Sequence, residues 1–238
     1  CLLSRGLGDV YKRQDKYKYK MPPPSPVASK AIDIFTIRKI RDYTPEIFFN
    51  KTGKRRKVQS DQAEIFARDC FMIMLYLAGP NPKDLYYMRK SKYNKIVYRR
   101  AKVVGKMGDR AKTSIKIQPE LALLVNKYSD KERLFCFYKM YKSERSFNVA
   151  INDGLSRISK KLMLNITLTA GTCRTSFSTI ASNDLLFQDS DIDMALVHSD
   201  PTMLGKYKEK DFTKIDRIIR AFIDYMDKQE QANMAVVG

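Results

Sequence analysis

Apolar residues recur at helical spacing along most of this chain, and that pattern constrains the fold more than any other feature. The segments Ser143–Leu162 and Asp211–Met226 each carry one continuous apolar face, as expected of amphipathic helices. In Asp61–Leu77 the C-terminal half is nearly all apolar, so we expect that half to be buried. The pattern therefore predicts a mainly helical fold. Further helices are predicted at Ala31–Arg41, Pro82–Met88, Pro119–Lys127, Thr169–Ser182 and Asp189–Val197.

One stretch of the chain has the pattern of β-structure instead. Ile96–Val104 and Thr113–Ile117 are predicted to be strands joined by a turn over Gly105–Arg110, which together form a β-hairpin. The predicted fold class is therefore α+β, mainly helical, with one small sheet. The longest apolar run, Cys70–Ala78, is too short to span a bilayer, so we expect no membrane partner.

Positive charge is in large excess, because 45 Lys and Arg residues stand against 26 Asp and Glu residues, a net charge of +19. A surplus of this size in a folded domain predicts a polyanionic partner, with nucleic acid ahead of an anionic membrane surface. The charge is concentrated at 51–57 and at 89–112, where tyrosines are interleaved. DNA or RNA is the working hypothesis, and a solvated basic surface is the alternative. The residues expected to contact DNA are Lys54, Arg55, Arg56, Lys57, Arg99 and Arg100.

The composition gives little support to metal or disulfide chemistry. The four cysteines lie far apart with no CxxC pair, which argues against a disulfide scaffold and a zinc site and fits a reducing cytoplasm. The single histidine, His198, rules out mechanisms that need two histidines. We therefore expect neither a metal nor a cofactor.

The two ends of the chain differ from its centre. Residues 1–14 resemble translated sequencing-adapter reads and are interpreted as a non-native segment. Residues 15–30 contain four prolines and are predicted to form an extended linker. The folded domain is expected over 31–226, and 227–238 is expected to be a flexible tail.

Three motifs follow one another in the C-terminal half of the chain. The first, Thr172–Thr179, opens a predicted helix and contains Arg174. The second, Ala195–Ser199, contains His198. The third is Tyr207, nine residues after that histidine. Their order and spacing form one pattern.

This pattern resembles the catalytic domain of the tyrosine recombinases, the phage-integrase family. In that family a helix carries arginine in an ARHTFAT-like context, LGHS follows some twenty residues later, and the tyrosine comes nine positions after the histidine. Upstream, Leu77–Leu85 resembles the family's GxRxxEL segment, and Ile96–Val104 resembles the hairpin that carries its lysine. The resemblance extends over about 31–226 and implies the family's catalytic core.

The resemblance implies a chemical role for four side chains. Tyr207 is the expected nucleophile, because a phenolate can attack phosphorus and retain the bond energy as a phosphotyrosine. Arg174 is expected to bind two phosphate oxygens through its planar guanidinium. His198 is expected to hydrogen-bond a phosphate oxygen or to help to take the phenolic proton. Lys102, on the first hairpin strand, is expected to protonate the departing 5′ oxygen, with Lys106 in the turn as the alternative.

The chain departs from the family pattern in the expected catalytic pocket. Asn81 stands at the position of the family's first arginine, and Gly171 stands where His or Lys is usual. Val197 replaces the glycine of LGHS, and Thr175 replaces the histidine after the arginine. These departures favour an alternative in which the protein is a catalytically weakened member that only binds DNA. Cations expected to be near enough to fill the gap at position 81 are Lys83, Arg89 and Arg99.

The resemblance also implies what the whole protein does. It implies a site-specific recombinase that cuts and rejoins double-stranded DNA through a 3′-phosphotyrosyl intermediate, in the integration or recombination of a mobile element. Assembly as a homotetramer on paired DNA sites, in a bacterial cytoplasm, is expected. Because the family has a core-binding domain ahead of the catalytic domain, this chain is expected to be a fragment. An unrelated basic, helical protein that binds nucleic acid is the remaining alternative.

Overall fold

The structure is a computed structural model that describes residues 30–45, 59–90, 94–102, 104–198 and 210–237. These residues form a mainly helical α+β fold with one antiparallel hairpin. None of the helices in these ranges is both long enough and apolar enough to cross a membrane. The helices are α1 (Ile34–Arg41), α2 (Gln59–Tyr76), α3 (Pro82–Tyr87), α4 (Val104–Met107), α5 (Pro119–Lys127), α6 (Phe137–Met140), α7 (Glu144–Lys161), α8 (Ala170–Asn183), α9 (Asp189–Ala195) and α10 (Phe212–Val237).

The packing of α7 on α2 forms the centre of the hydrophobic core. Gly154 of α7 lies so close to α2 that a Cβ atom there would be 2.4 Å from Cβ of Ala67 and 2.8 Å from the carbonyl oxygen of Ala63. Only glycine allows the two backbones to approach this closely. The apolar face predicted for α7 is buried as expected, with Phe147, Ile151, Leu155 and Ile158 all fully buried.

The hairpin is shorter than the sequence pattern predicts. Its strands are β1 (Lys95–Arg99) and β2 (Lys112–Lys116), with Ile96 opposite Ile115, and α4 and a 3₁₀ turn connect them. The predicted strand to Val104 is therefore wrong, because β1 ends at Arg99 and Val104 begins α4. The strand ends where Ala101 turns towards the helices and donates its N–H to Oδ1 of Asp84, at 2.8 Å.

Helix α10 covers the core from the side of the hairpin. Its predicted apolar face is buried, and the helix continues to Val237, through residues predicted to be a flexible tail. Polar contacts fix its position, since Lys214 forms an ion pair with Asp191 of α9 at 2.7 Å and Arg220 forms one with Glu120 of α5 at 3.0 Å. The apolar residues on the buried face are Ile215, Ile218, Ile219, Phe222 and Ile223.

Candidate functional site

Arg174 connects two distant segments of the chain at the N-terminal end of α8. The helix begins after Thr169, whose N–H donates to Oγ1 of Thr172 at 3.1 Å. From this end of the helix, Nη1 of Arg174 donates to the carbonyl oxygen of Gly79 at 2.8 Å, and Nη2 donates to the carbonyl oxygen of Leu196. Gly79 precedes Arg174 by 95 residues and Leu196 follows it by 22. Two of the segments that the sequence pattern singles out, around Gly79 and around Leu196, therefore meet at the side chain of Arg174.

The environment of Arg174 lowers the pKa of its guanidinium but leaves the group positively charged. Burial and the nearby positive charge of Arg100 lower the pKa of Arg174 to about 10. A group with this pKa is still almost fully protonated at neutral pH. Arg174 is therefore a partly desolvated cation, and electrostatic interactions with it are stronger than they would be in open water.

The turn before α3 presses directly on α8. Gly79 has a φ of +71°, and a Cβ atom there would lie 2.8 Å from Cα of Arg174 and 2.9 Å from its Cβ. A glycine is required at this position for both reasons, since other residues rarely adopt this φ and any side chain would collide with α8. The contact places Pro80 and Asn81 beside the guanidinium.

Arg100 is buried, although the sequence pattern grouped it with the basic residues that contact DNA from the surface. Only 8% of the residue is exposed, and its Nη1 donates to the carbonyl oxygens of Leu196 at 3.1 Å and Val197 at 3.3 Å. Its buried Nε has no hydrogen-bond partner among the described residues. Arg100 and Arg174 thus share the carbonyl of Leu196, and Arg100 belongs to the pocket rather than to the exposed basic surface.

The carboxyl group of Asp84 interacts electrostatically with both Arg100 and Arg174. It is buried, and its carboxylate accepts hydrogen bonds from the N–H of Ala101 at 2.8 Å and of Asn81 at 3.2 Å. Burial raises the pKa of Asp84, while the two N–H bonds and the charges of Arg100 and Arg174 act in the opposite direction. One carboxylate therefore connects the hairpin to the start of α3 and interacts electrostatically with both guanidiniums.

Asn81 forms part of the rim of the pocket and brings no charge to it. The residue is exposed, and its Oδ1 accepts the N–H of Lys83 at 3.1 Å, which caps α3. The nearby Lys83 is directed elsewhere, because its Nζ lies 3.3 Å from Oε1 of Glu144. The position that resembles the family's first arginine is thus occupied by a helix cap.

An open cavity of about 270 Å³ lies against these residues. Gly171 forms part of its wall, and a Cβ atom there would meet only Oγ1 of Thr169 within 4 Å among the described atoms, at 3.6 Å. The glycine therefore leaves free space at the position where the family usually has His or Lys. The lining residues that bear on the site are Gly79, Asn81, Arg100, Asn152, Gly171 and Arg174.

His198 follows α9 in a defined orientation. The helix ends with a Schellman motif, in which the N–H of Val197 donates to Met194 and the N–H of His198 donates to Asp193 at 2.8 Å. Nδ1 of the exposed His198 lies 2.7 Å from Oδ1 of Asp193. His198 lines a second cavity of about 490 Å³ and is not among the residues that line the cavity beside Arg174. A carboxylate on Nδ1 fixes the ring and leaves Nε2 for another partner.

Val197 explains one departure from the family pattern. Its φ of +52° is in the left-handed region, which glycine adopts without strain and which is common at the end of a Schellman motif. The cost for another residue is about 1–2 kcal/mol. Val197 is only 1% exposed, and burial of such a side chain contributes about 1.5–3 kcal/mol to the stability of the fold. The strain is therefore offset by packing.

The hairpin does not present the lysines as the sequence pattern predicts. Lys102 was expected on the first strand, but it lies in the turn after β1 and is exposed. It follows Ala101, the residue bonded to Asp84, so its backbone is close to the arginine pocket. Lys106 belongs to α4, and its side chain lies outside the described part of the chain. The choice between the two lysines remains a prediction.

Of the residues expected to contact DNA, Arg99 is described, and it is exposed at the end of β1. Five other predicted site residues lie outside the described ranges, so their expected roles stay predictions. They are Tyr207, Lys54, Arg55, Arg56 and Lys57.

The sequence interpretation missed the burial of Arg100 and the role of Asp84. A signal for Arg100 was present, because side chains alternate along a strand and Ile96 faces the core. Continued past the end of β1, this alternation puts Arg100 on the inner face and Arg99 on the outer one. Asp84 stands at the acidic position of the GxRxxEL-like segment, but its partners could not be predicted, because they are backbone groups contributed by the hairpin and the turn before α3.

The assembled groups are suited to binding an anion with several oxygens. Two guanidiniums offer planar sets of donors, and phosphate and carboxylate are the groups that they bind most strongly. Within the described ranges, no three His, Cys, Asp or Glu side chains are placed to hold a metal ion. Comparison of the chain with protein-family models, with curated proteins and with solved structures found no match.

Proposed function

We propose that this chain is the catalytic domain of a tyrosine recombinase that cuts and rejoins double-stranded DNA. The observation that carries the proposal is the convergence on Arg174 of the turn at Gly79 and the segment at Leu196, which are bonded to the same guanidinium from opposite directions along the chain. These are the segments that resemble the family's catalytic motifs. Convergence of unrelated surface motifs on one partly buried cation would be a coincidence.

The reaction that we propose needs no metal and no external energy source. The Tyr207 oxygen attacks the scissile phosphorus, the bond from phosphorus to the 5′ oxygen breaks, and a 3′-phosphotyrosyl ester and a free 5′-hydroxyl result. The phenolic proton passes to His198 or to water, and Lys102 or Lys106 supplies the proton that the 5′ oxygen takes up. A second 5′-hydroxyl then attacks the ester, which reverses the same steps and restores the tyrosine.

Arg174 and His198 would have distinct tasks in this reaction. A guanidinium held by two backbone carbonyls is already oriented, so it can stabilise charge on the phosphate oxygens without reorganising during the reaction. The contact between His198 Nδ1 and Asp193 orients the imidazole, so Nε2 is the atom that would meet the phosphate or the phenol. Strongly cationic surroundings would also attract the DNA backbone.

A second candidate function is DNA binding without efficient cleavage. Two observations favour it, since Asn81 is neutral and serves as the cap of α3, and Gly171 leaves its part of the cavity empty. Both positions are expected to carry cations in an efficient enzyme of this kind. The two candidates predict the same DNA affinity and differ only in whether a covalent adduct forms.

A suicide substrate separates these two functions. A nicked duplex loses the short fragment that carries the 5′-hydroxyl after cleavage, so an active enzyme remains covalently attached to the DNA. We expect an adduct from the parent chain and from Tyr225→Phe, a matched control in α10, and none from Tyr207→Phe. An adduct from Tyr207→Phe would place the nucleophile elsewhere. DNA binding by the parent without any adduct would favour the second candidate.

A further inference from the structure

The pocket around the partly buried Arg174 holds a second guanidinium, that of the buried Arg100, although the sequence pattern shows no cation at position 81. The segment before α3 offers only the neutral Asn81, whose Oδ1 is engaged in capping. Of the cations expected to compensate, Lys83 is paired with Glu144, and Arg89 and Arg99 are exposed and do not line the cavity. Arg100 does line it.

The hydrogen bonds of Arg100 account for only part of its donor capacity. Its Nη1 is shared between the carbonyls of Leu196 and Val197, whereas its Nε is buried and unpaired among the described residues. A charged group with an unsatisfied donor is costly to bury. Arg100 also lines the cavity, so an anion there would give its guanidinium a further acceptor.

The balance of charge around the cavity also favours an anion. Arg100 and Arg174 contribute two positive charges that repel each other, and this repulsion adds to burial in lowering the pKa of Arg174. Asp84, the buried carboxyl group that interacts with both of them, can offset one of these charges at most. A phosphodiester carries one negative charge, so it would neutralise the remainder. Guanidinium groups bind phosphate oxygens through two parallel hydrogen bonds, which suits them to such an anion.

We propose that Arg100 binds the scissile phosphate together with Arg174 and so replaces the cation that is missing at Asn81. This proposal rests on the proposed recombinase function and deepens it. The guanidinium reaches the cavity from the end of the hairpin rather than from the start of α3. Arg100 is then a catalytic residue, because it contacts the reacting group directly and stabilises the charge that accumulates on it in the transition state.

The test compares Arg100→Gln with Arg157→Gln, a control at an exposed arginine of α7 that does not line the cavity. In single-turnover cleavage of the nicked duplex, we expect Arg100→Gln to slow adduct formation by about 10²–10³-fold. The control should react at the parental rate. A parental rate for Arg100→Gln would overturn the proposal.

A third variant separates phosphate binding from a purely structural role. If Arg100 only held the carbonyls of Leu196 and Val197, a new cation at position 81 could not compensate for its loss. We expect the double variant with Arg100→Gln and Asn81→Arg to recover part of the lost rate. No recovery, together with a lowered melting temperature for Arg100→Gln, would assign Arg100 a structural role and overturn the proposal.

A binding measurement keeps this proposal separate from the proposed function. Inorganic phosphate should raise the melting temperature of the DNA-free parent and of Arg157→Gln, and it should raise that of Arg100→Gln much less. If the parent forms no adduct but shows this pattern, the recombinase function fails and the anion site stands. If phosphate stabilises all three proteins equally, or none of them, the anion site fails whatever the cleavage assay shows.

Discussion

The contact between Gly79 and α8 makes a quantitative prediction about the substitution Gly79→Ala. The added methyl group would lie 2.8 Å from Cα of Arg174, a distance at which one of the two backbones must move. It would also be attached to a residue whose φ of +71° is strained for alanine. The substitution should therefore destabilise the fold and displace the arginine on which the catalytic proposal depends.

The magnitude follows from two separate contributions. Forcing alanine into the left-handed region costs about 1–2 kcal/mol. Overpacking against a helix backbone costs about 1–3 kcal/mol. The sum is about 2–5 kcal/mol, which lowers the melting temperature of a domain of this size by about 4–20 °C.

Three other glycines provide controls that separate the two contributions. Gly108 has a φ of +53° but no described atom within 4 Å of a Cβ, so Gly108→Ala tests the backbone strain alone. Gly154→Ala tests the collision alone, since its φ is ordinary and the Cβ would meet Ala67 at 2.4 Å. Gly105 has neither property, so Gly105→Ala in α4 should be neutral or slightly stabilising.

Thermal unfolding of these variants, followed by circular dichroism, is the assay. We expect Gly79→Ala to lose clearly more stability than Gly108→Ala and to form the DNA adduct more slowly than the parent. Equal melting temperatures for Gly79→Ala and Gly108→Ala would refute the close approach of the turn to α8. The arrangement of Gly79 around Arg174 would then have to be abandoned.

The remaining predictions concern DNA affinity, the empty position in the pocket and the start of α10. Neutralising all three basic residues at 55–57 should flatten the log–log dependence of DNA affinity on salt by up to about three units, whereas an unchanged slope would make them a solvated loop without DNA contacts. Gly171→Lys should melt no lower than the parent and cleave faster, because a Cβ atom there meets no described atom closer than 3.6 Å and the cavity beside it is open, and slower cleavage by a well-folded variant would contradict this. Asp211 accepts hydrogen bonds from the N–H and hydroxyl of Thr213, which lower its pKa below the usual 3.8. Its contribution to stability should therefore be complete above pH 3.8 and be lost as the pH falls through the folded-state pKa. Asp211→Asn should show a weaker loss of melting temperature in acid, and an acid profile identical to that of the parent would contradict the capping role.

The helices were predictable because their amphipathic faces are encoded locally. The predicted helix Pro119–Lys127 has the observed bounds, and the apolar faces of α7 and α10 are buried as predicted. The error at Val104 has a tertiary cause. Its β-branched side chain favours a strand locally, but the hairpin ends early because Arg100 and Ala101 form hydrogen bonds with distant segments.

The candidate site was predictable only in part. Arg174 and His198 could be selected from their motifs, and the structure places their segments next to each other through the carbonyl of Leu196. Strand alternation indicates that Arg100 faces inward, but its partners, Leu196 and Val197, could not be identified, because they follow it by 96 and 97 residues. No local pattern reports an interaction of that sequence separation.

The Schellman end of α9 has a thermodynamic consequence for the pocket. The carbonyl oxygen of Leu196 at this helix end accepts hydrogen bonds from the guanidiniums of Arg100 and Arg174, so these two side chains cap the C-terminus of α9. Fraying of α9 would release both arginines, and any ligand that redirects either arginine would change the fraying equilibrium. Because thermodynamic linkage is reciprocal, the two effects have the same free energy. The ordering of α9 changes the free energy of ligand binding by the amount by which ligand binding changes the free energy of ordering α9. Hydrogen exchange at the backbone amide of His198, two residues beyond that carbonyl, would report on occupancy of the pocket.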